Sequence, residues 1–273
     1  MDLDFIAGRG LVLLGCGKMG TAMLEGWLAA GLGPSDFTIL DPAPSARLEA
    51  LAGEGLRLNA PVPPDPAIAV LAVKPQMMGD ALPALVELGG GGTLFVSVAA
   101  GTPIARFEEA FGAGTPIVRA MPNTPAAIKR GITALVGNAA ATQGDLGHAE
   151  ALMRAVGRTV RLENEGQMDA VTAVSGSGPA YVFLLIETLA AAGEAEGLPP
   201  AMALELARAT VGGAGDLAEL SDEGPDRLRV NVTSPGGTTA AALEVLMDAE
   251  EGLASLMRRA VAAAAARGRA LRG

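Results

Sequence analysis

The chain has 273 residues, half of them apolar but only 3% aromatic, so a sizeable core must be built from Ala, Leu, Val and Met. Its 30 acidic residues outnumber 20 basic ones, and the formal charge of −10 repels phosphate backbones and anionic lipid surfaces. Nucleic-acid and membrane partners are excluded on that ground.

The opening MDLD is acidic and lacks the basic-then-apolar design of a secretory signal. Cys16 is the single cysteine, which rules out an intrachain disulfide framework. Both features lead us to expect a soluble cytoplasmic protein. The long uncharged stretches at 88–105 and 170–186 are broken by Gly, Pro and Ser, and predict buried elements rather than bilayer spans.

In chain order, the strand-like runs are GLVLLG (10–15), FTIL (37–40), IAVLAV (68–73), TLFVSV (93–98) and PIVRAM (116–121). They are almost continuously apolar, as strands covered on both faces must be. Helical spacing fills 21–30 and 45–52 between them. Alternating strands and helices predict a parallel, doubly wound Rossmann-type sheet. ITALVG (132–137) and RTVRL (158–162), flanking a helix near 145–156, extend it. After Glu163 the β-branched runs stop. Ala/Leu/Glu-rich helices are expected at 167–174, 179–196, 199–220, 225–232 and 239–270. ENEG (163–166) is the expected junction, giving a dinucleotide-binding domain at 1–164 and an all-helical domain at 165–273. Within the latter, AYVFLLIETLAAA is apolar on nearly every face. Such a helix must be surrounded, and little else in that domain is able to surround it, so a helical core shared by at least two chains is expected.

The first strand runs into GCGKMG, with Gly15, Gly17 and Gly20 in G-x-G-x-x-G spacing ahead of a helix. That context is what a dinucleotide loop requires: Gly15 for the turn, Gly17 for approach of a diphosphate, Gly20 for close helix–strand packing. The diphosphate would sit on the positive end of the helix dipole. Cys16, Lys18 and Met19 complete the loop. The second strand ends at Asp41, where a carboxylate is suited to grip a free ribose 2′-hydroxyl and to repel a 2′-phosphate, pointing toward NADH. Arg47 offsets this only if it folds back; an exposed helix arginine is the plainer reading.

TSPGGTT (233–239) poses a different question, because the helical part has no Cys, His or Lys. Short hydroxyl residues and glycines ahead of a helix present free N–H groups, an anion site built without a cation. An ordinary helix cap would need only one such residue.

AVKPQ (72–76), VSVAAG (96–101), RAMPNTP (119–125), SGSGPAYVF (175–183) and TSPGGTT together resemble pyrroline-5-carboxylate reductases, in that family's order and over nearly the whole chain. The resemblance implies reduction of the cyclic imine 1-pyrroline-5-carboxylate to proline with NADPH or NADH. It also implies an interleaved helical homodimer, assembled in many members into a decamer. It assigns the cofactor to Gly15–Gly20, Asn59, Ala72, Val73, Lys74 and Pro75, Val98, Ala99 and Ala100, with Asn123 and Thr124 near the nicotinamide. For Lys74 a direct role and a solvated strand-end position stay open. Ser234, Gly236, Gly237 and Thr238 would hold the substrate carboxylate, while the Thr239 hydroxyl approaches the ring nitrogen. Two departures stand out: Gly224-Pro225 replaces a His-Pro pair, and Asp41 stands where many members are uncharged.

His148 is expected on a surface helix, and no Cys/His/Asp cluster has metal-ligand spacing. The rival readings are a reductase of another cyclic imine acid, a β-hydroxyacid-dehydrogenase-like enzyme and a non-catalytic dinucleotide-sensing dimer. Hydroxyacid enzymes of this build use a lysine in the helical domain, but Lys18, Lys74 and Lys129 all precede the junction. A sensor would not need the 234–239 loop.

Overall fold

In a computed structural model, residues 3–271 are described. The chain forms two compact units, Met1–Gly176 with Ala265–Gly273, and Ser177–Ala264.

The first unit is an eight-stranded sheet of β1 (Leu11–Leu14), β2 (Phe37–Leu40), β3 (Arg57–Leu58), β4 (Ile68–Leu71), β5 (Leu94–Ser97), β6 (Ile117–Met121), β7 (Gly131–Gly137) and β8 (Gly157–Arg161). The strand order is β3-β2-β1-β4-β5-β6-β7-β8. Along β1 the side chains alternate between two cores. Leu11 and Leu13 join Trp27, Phe37 and Ile39 on one face. Val12 and Leu14 join Phe95, Phe107 and Phe111 on the other. This period of two explains why the runs are apolar at every position: both faces are covered. Helices α1 (Lys18–Ala29), α2 (Ala46–Gly53), α3 (Met78–Ala81), α4 (Ile104–Phe111), α5 (Gln143–Arg154) and α6 (Met168–Val171) complete the unit. On α4 the buried residues are Ile104, Phe107 and Phe111, one stripe of a helix. The Trp27 indole N–H on α1 donates to Leu152 O on α5 at 2.9 Å, pinning two helices to one face.

One expectation is corrected here. Neighbours from β3 through β6 pair in parallel, but β7 runs antiparallel to β6. Only residues 122–130 separate the two strands, too few for a crossover, and they hold a 3-10 turn at Thr124–Ile128 ended by Lys129 at φ 59°.

The second unit contains α7 (Gly178–Ala195), α8 (Pro200–Leu220), α9 (Pro225–Asn231), α10 (Thr238–Leu246) and most of α11 (Leu253–Ala270). Its internal core is three alanines, Ala190, Ala203 and Ala207, with Ile186 and Leu198 against them. Val182, Phe183, Leu184 and Leu185 on α7 remain exposed, Phe183 by 57%.

Two helix boundaries differ from expectation. The Gly/Ser-rich 175–178 does not break the chain into separate helices. A π-turn at Thr172–Gly176 carries a helical run from Glu165 to Ala195, long enough to cross a bilayer, with an 18-residue window of mean hydropathy 1.3. The final long helix is divided between α10 and α11. The Asp248 carboxylate accepts the N–H groups of Glu250 (2.9 Å) and Glu251 (2.8 Å), ending one helix and turning the chain into the next.

Candidate active site

The carboxyl ends of β1, β2, β4 and β5 carry most of the residues expected to bind a dinucleotide. Gly15 follows β1 at φ 86°, a conformation that L side chains rarely adopt, and a Cβ there would meet Val73 Cγ1 at 2.7 Å. A Cβ on Gly20 would sit 2.7 Å from the Gly15 carbonyl oxygen, so helix and turn are in direct backbone contact. Gly17 is different. It is exposed, and a Cβ there would meet nothing within 4 Å. Gly17 is also the N-cap of α1, with no side-chain cap, so the first N–H groups of Lys18, Met19 and Gly20 precede the first intrahelical bond, Thr21 N–H to Gly17 O. Two glycines are demanded by packing and one borders open space beside uncapped donors. That pattern fits a diphosphate.

Cys16 is buried in this loop. Burial pushes its thiol up to about 11, with the Thr21 hydroxyl pulling the other way and Asp41 and Glu25 adding to the rise. Its backbone N–H donates to Asp41 Oδ2 at 2.6 Å, and Asp41 Oδ1 accepts the Ala43 N–H at 2.9 Å. Asp41 is in turn latched to Asn59: Asp41 N–H donates to Asn59 Oδ1 and Asn59 Nδ2 donates to Asp41 O, both at 2.9 Å. Asn59 adopts φ 49°, which asparagine tolerates better than most residues. Loop, β2 end and Asn59 are therefore one hydrogen-bonded corner. Arg47 does not fold back to it, because its Nε and Nη2 hold the Glu25 carboxylate at 2.8 and 3.3 Å.

Ala72 and Val73 are half-buried and Lys74 and Pro75 exposed just beyond β4. Ala72 N–H donates to Leu14 O, joining the strand end to the glycine loop. After β5, Val98 N–H donates to Leu71 O, Ala99 is buried and Ala100 is exposed. Asn123 lies in the turn after β6. Its side-chain oxygen accepts the Ile132 N–H at 2.9 Å and its carbonyl accepts the Ala126 N–H, so it shapes the 122–130 turn itself. Thr124 is exposed beside it. His148 is exposed on α5 and stacks on Phe5 with centroids 4.1 Å apart.

In the second unit, Ser234, Pro235, Gly236 and Thr238 are exposed, and Gly237 and Thr239 half-buried. Gly236 has φ 68°, and Gly237 N–H closes the turn on Ser234 O at 3.0 Å. Gly237 is the N-cap of α10 and its carbonyl accepts the first helical bond, from Ala241 N–H. The donors left at the helix entrance are thus Thr238, Thr239 and Ala240, with no side chain capping them. Gly237 contributes its carbonyl and its conformation to this turn; its N–H is already spoken for.

One residue pair escaped the sequence reading. Arg119, on β6, is 1% exposed, and its Nη1 holds Glu165 Oε1 at 2.7 Å. The same oxygen accepts the Ile104 N–H at the start of α4, at 2.9 Å. The signal was present: an arginine inside the apolar run PIVRAM has to find a partner.

Comparison with known proteins places this arrangement. The family model for pyrroline-5-carboxylate reductase dimerisation matches residues 165–271, and that for coenzyme F420-dependent NADP oxidoreductase matches 10–101. A pyrroline-5-carboxylate reductase from Pseudomonas aeruginosa is 39% identical over 261 residues, spanning 94% of each chain. The chain belongs to the pyrroline-5-carboxylate reductase family. Among solved structures, a pyrroline-5-carboxylate reductase from Coxiella burnetii superposes with a TM-score of 0.89 at 32% identity, covering 97% of this chain and 99% of that one. The Plasmodium falciparum pyrroline carboxylate reductase, solved with NADP bound, gives 0.82 at 28% identity with the same coverage. Family membership thus extends across both the sheet and the helices, as the five motifs implied.

Proposed function

We propose that this protein reduces 1-pyrroline-5-carboxylate to proline with a reduced nicotinamide dinucleotide, and that the Ser234–Thr239 turn is the substrate-carboxylate site. The observation that carries the substrate half is the uncapped, solvent-facing entrance of α10, which offers uncharged donors and two hydroxyl residues with no competing cap. The cofactor half rests on the glycine corner at the carboxyl edge of the sheet, where doubly wound folds take their ligands.

When bound, the dinucleotide supplies the hydride that reduces the imine carbon. The chain's own task is to hold and orient. The N–H groups of Thr238, Thr239 and Ala240 receive the carboxylate together with the positive end of the α10 dipole. The Thr239 hydroxyl oxygen accepts the N–H of the ring nitrogen. A cyclic iminium reaches the site already carrying its proton, so no group with a tuned pKa has to deliver one. Orientation then supplies most of the acceleration, an effect that reaches about 7–11 kcal/mol in well-aligned systems.

The active form we propose is a homodimer at least, with the decamer as its larger assembly. Three buried alanines do not hold a helical unit together in water, and a second copy of α7 covers Val182, Phe183, Leu184 and Leu185. The same surface argues for a partner chain over a bilayer, since the 165–195 helix carries Glu165, Asp169, Glu187 and Glu194 along its length.

The deciding experiment follows loss of reduced cofactor spectrophotometrically with 1-pyrroline-5-carboxylate and, in parallel, its six-membered homologue. Turnover of the five-membered ring with appearance of proline is the expected result. Preference for the larger ring, or no turnover of either, overturns the assignment.

A further inference from the structure

Resting on the cofactor reading above, we infer that Asp41 selects the dinucleotide without a 2′-phosphate, so that this chain prefers NADH. Asp41 stands directly after β2, and its position is fixed from three sides. One carboxylate oxygen is held by the Cys16 N–H of the glycine loop at 2.6 Å and the other by the Ala43 N–H at 2.9 Å. Its backbone is latched to Asn59 in both directions. Charge-assisted bonds of this kind keep the carboxylate from swinging aside to admit a phosphate.

Binding a 2′-phosphate calls for a guanidinium or ammonium at this corner. Arg47, at the start of α2, is committed to Glu25 through two nitrogens. Arg57 directs its Nε to the Thr38 hydroxyl at 2.8 Å, within the β2–β3 pair. Lys18 is the first residue of α1, next to the Gly17 N-cap. What faces the adenosine ribose is therefore an acceptor-only carboxylate with lone pairs left for a 2′-hydroxyl, and a phosphate dianion there meets like charge. The family resemblance alone does not lead to this conclusion, since many members are uncharged at the position.

The test is isothermal titration calorimetry of the full chain with NADH and NADPH, without substrate. We expect NADH to bind at least about tenfold more tightly at low ionic strength, with the ratio shrinking as salt screens the repulsion. Asp41→Asn keeps an oxygen for the Cys16 N–H while removing the charge, and should bring the two affinities within about threefold. A wild-type chain that binds NADPH as tightly as NADH overturns the inference. So does an Asp41→Asn chain with an unchanged ratio. Should the variant fail to fold by circular dichroism, the wild-type ratio and its salt dependence decide. Failure of both dinucleotides to bind would instead remove the cofactor reading on which the inference rests.

Discussion

Three glycines of one loop have three different physical reasons, and substitution separates them. Adding a methyl to Gly20 drives a carbon to 2.7 Å from the Gly15 carbonyl, a backbone atom that has no room to yield. Gly20→Ala should therefore lower stability by about 1–3 kcal/mol in denaturant melts. Gly17→Ala meets nothing and keeps an ordinary φ of −68°, so it should fold like the wild type while weakening dinucleotide binding in a titration. Equal stability losses for the two would contradict this division. Cys16 behaves as filler with a pH signature. Its thiol is raised from 9.0 to about 11 by burial, so the folded chain holds the proton longer than the unfolded one. Stability from this source is complete below pH 9 and is lost as pH climbs toward about 11. Cys16→Ser should flatten the alkaline limb of a stability–pH curve.

At the scale of elements, the ion pair between buried Arg119 and half-buried Glu165 ties β6, the start of α4 and the start of the 165–195 helix through one carboxylate oxygen. Glu165→Ala strands a guanidinium that is 1% exposed and removes the acceptor of the Ile104 N–H. A loss of about 3 kcal/mol is expected in chemical denaturation, far above the cost of cutting the exposed Arg106–Glu109 pair, whose median worth is about 0–1 kcal/mol. The elements legible in the sequence were those whose signal is local. The four-residue apolar cores of β1, β2, β4 and β5 announce themselves because both faces are buried. Strand β3 is two residues, one of them exposed, and carries no such pattern. The reversed β7 follows from the shortness of a connection, not from β7's own residues. Across Ser175–Gly178 the chain passes through a π-turn and a bend at Ser177 into α7, a local form that the Gly/Ser run does not announce. The candidate site was legible to the extent that it is built from glycines, whose constraints are steric. The link from Asp41 to Cys16 joins residues 25 apart and needed the fold.

For the whole molecule, the proposed substrate site sets an unusual requirement: in a chain of charge −10, an organic anion is to be held by the neutral N–H and hydroxyl groups at the α10 entrance. Helix N-termini meet it, because several aligned N–H dipoles act in place of one counter-ion. Exposed apolar side chains on α7 add a second requirement, a partner copy, so light scattering should return at least twice the chain mass at assay concentration. A monodisperse monomer would contradict that. Both requirements serve the same claim, that this chain orients a cyclic imino acid with amides and hydroxyls alone. The most direct measurement is a crystal structure of the protein with proline bound. The account predicts the proline carboxylate within about 3 Å of the Thr238 and Thr239 N–H groups, with the ring nitrogen facing the Thr239 hydroxyl. A carboxylate seated on an arginine or lysine side chain, away from residues 234–239, would contradict it.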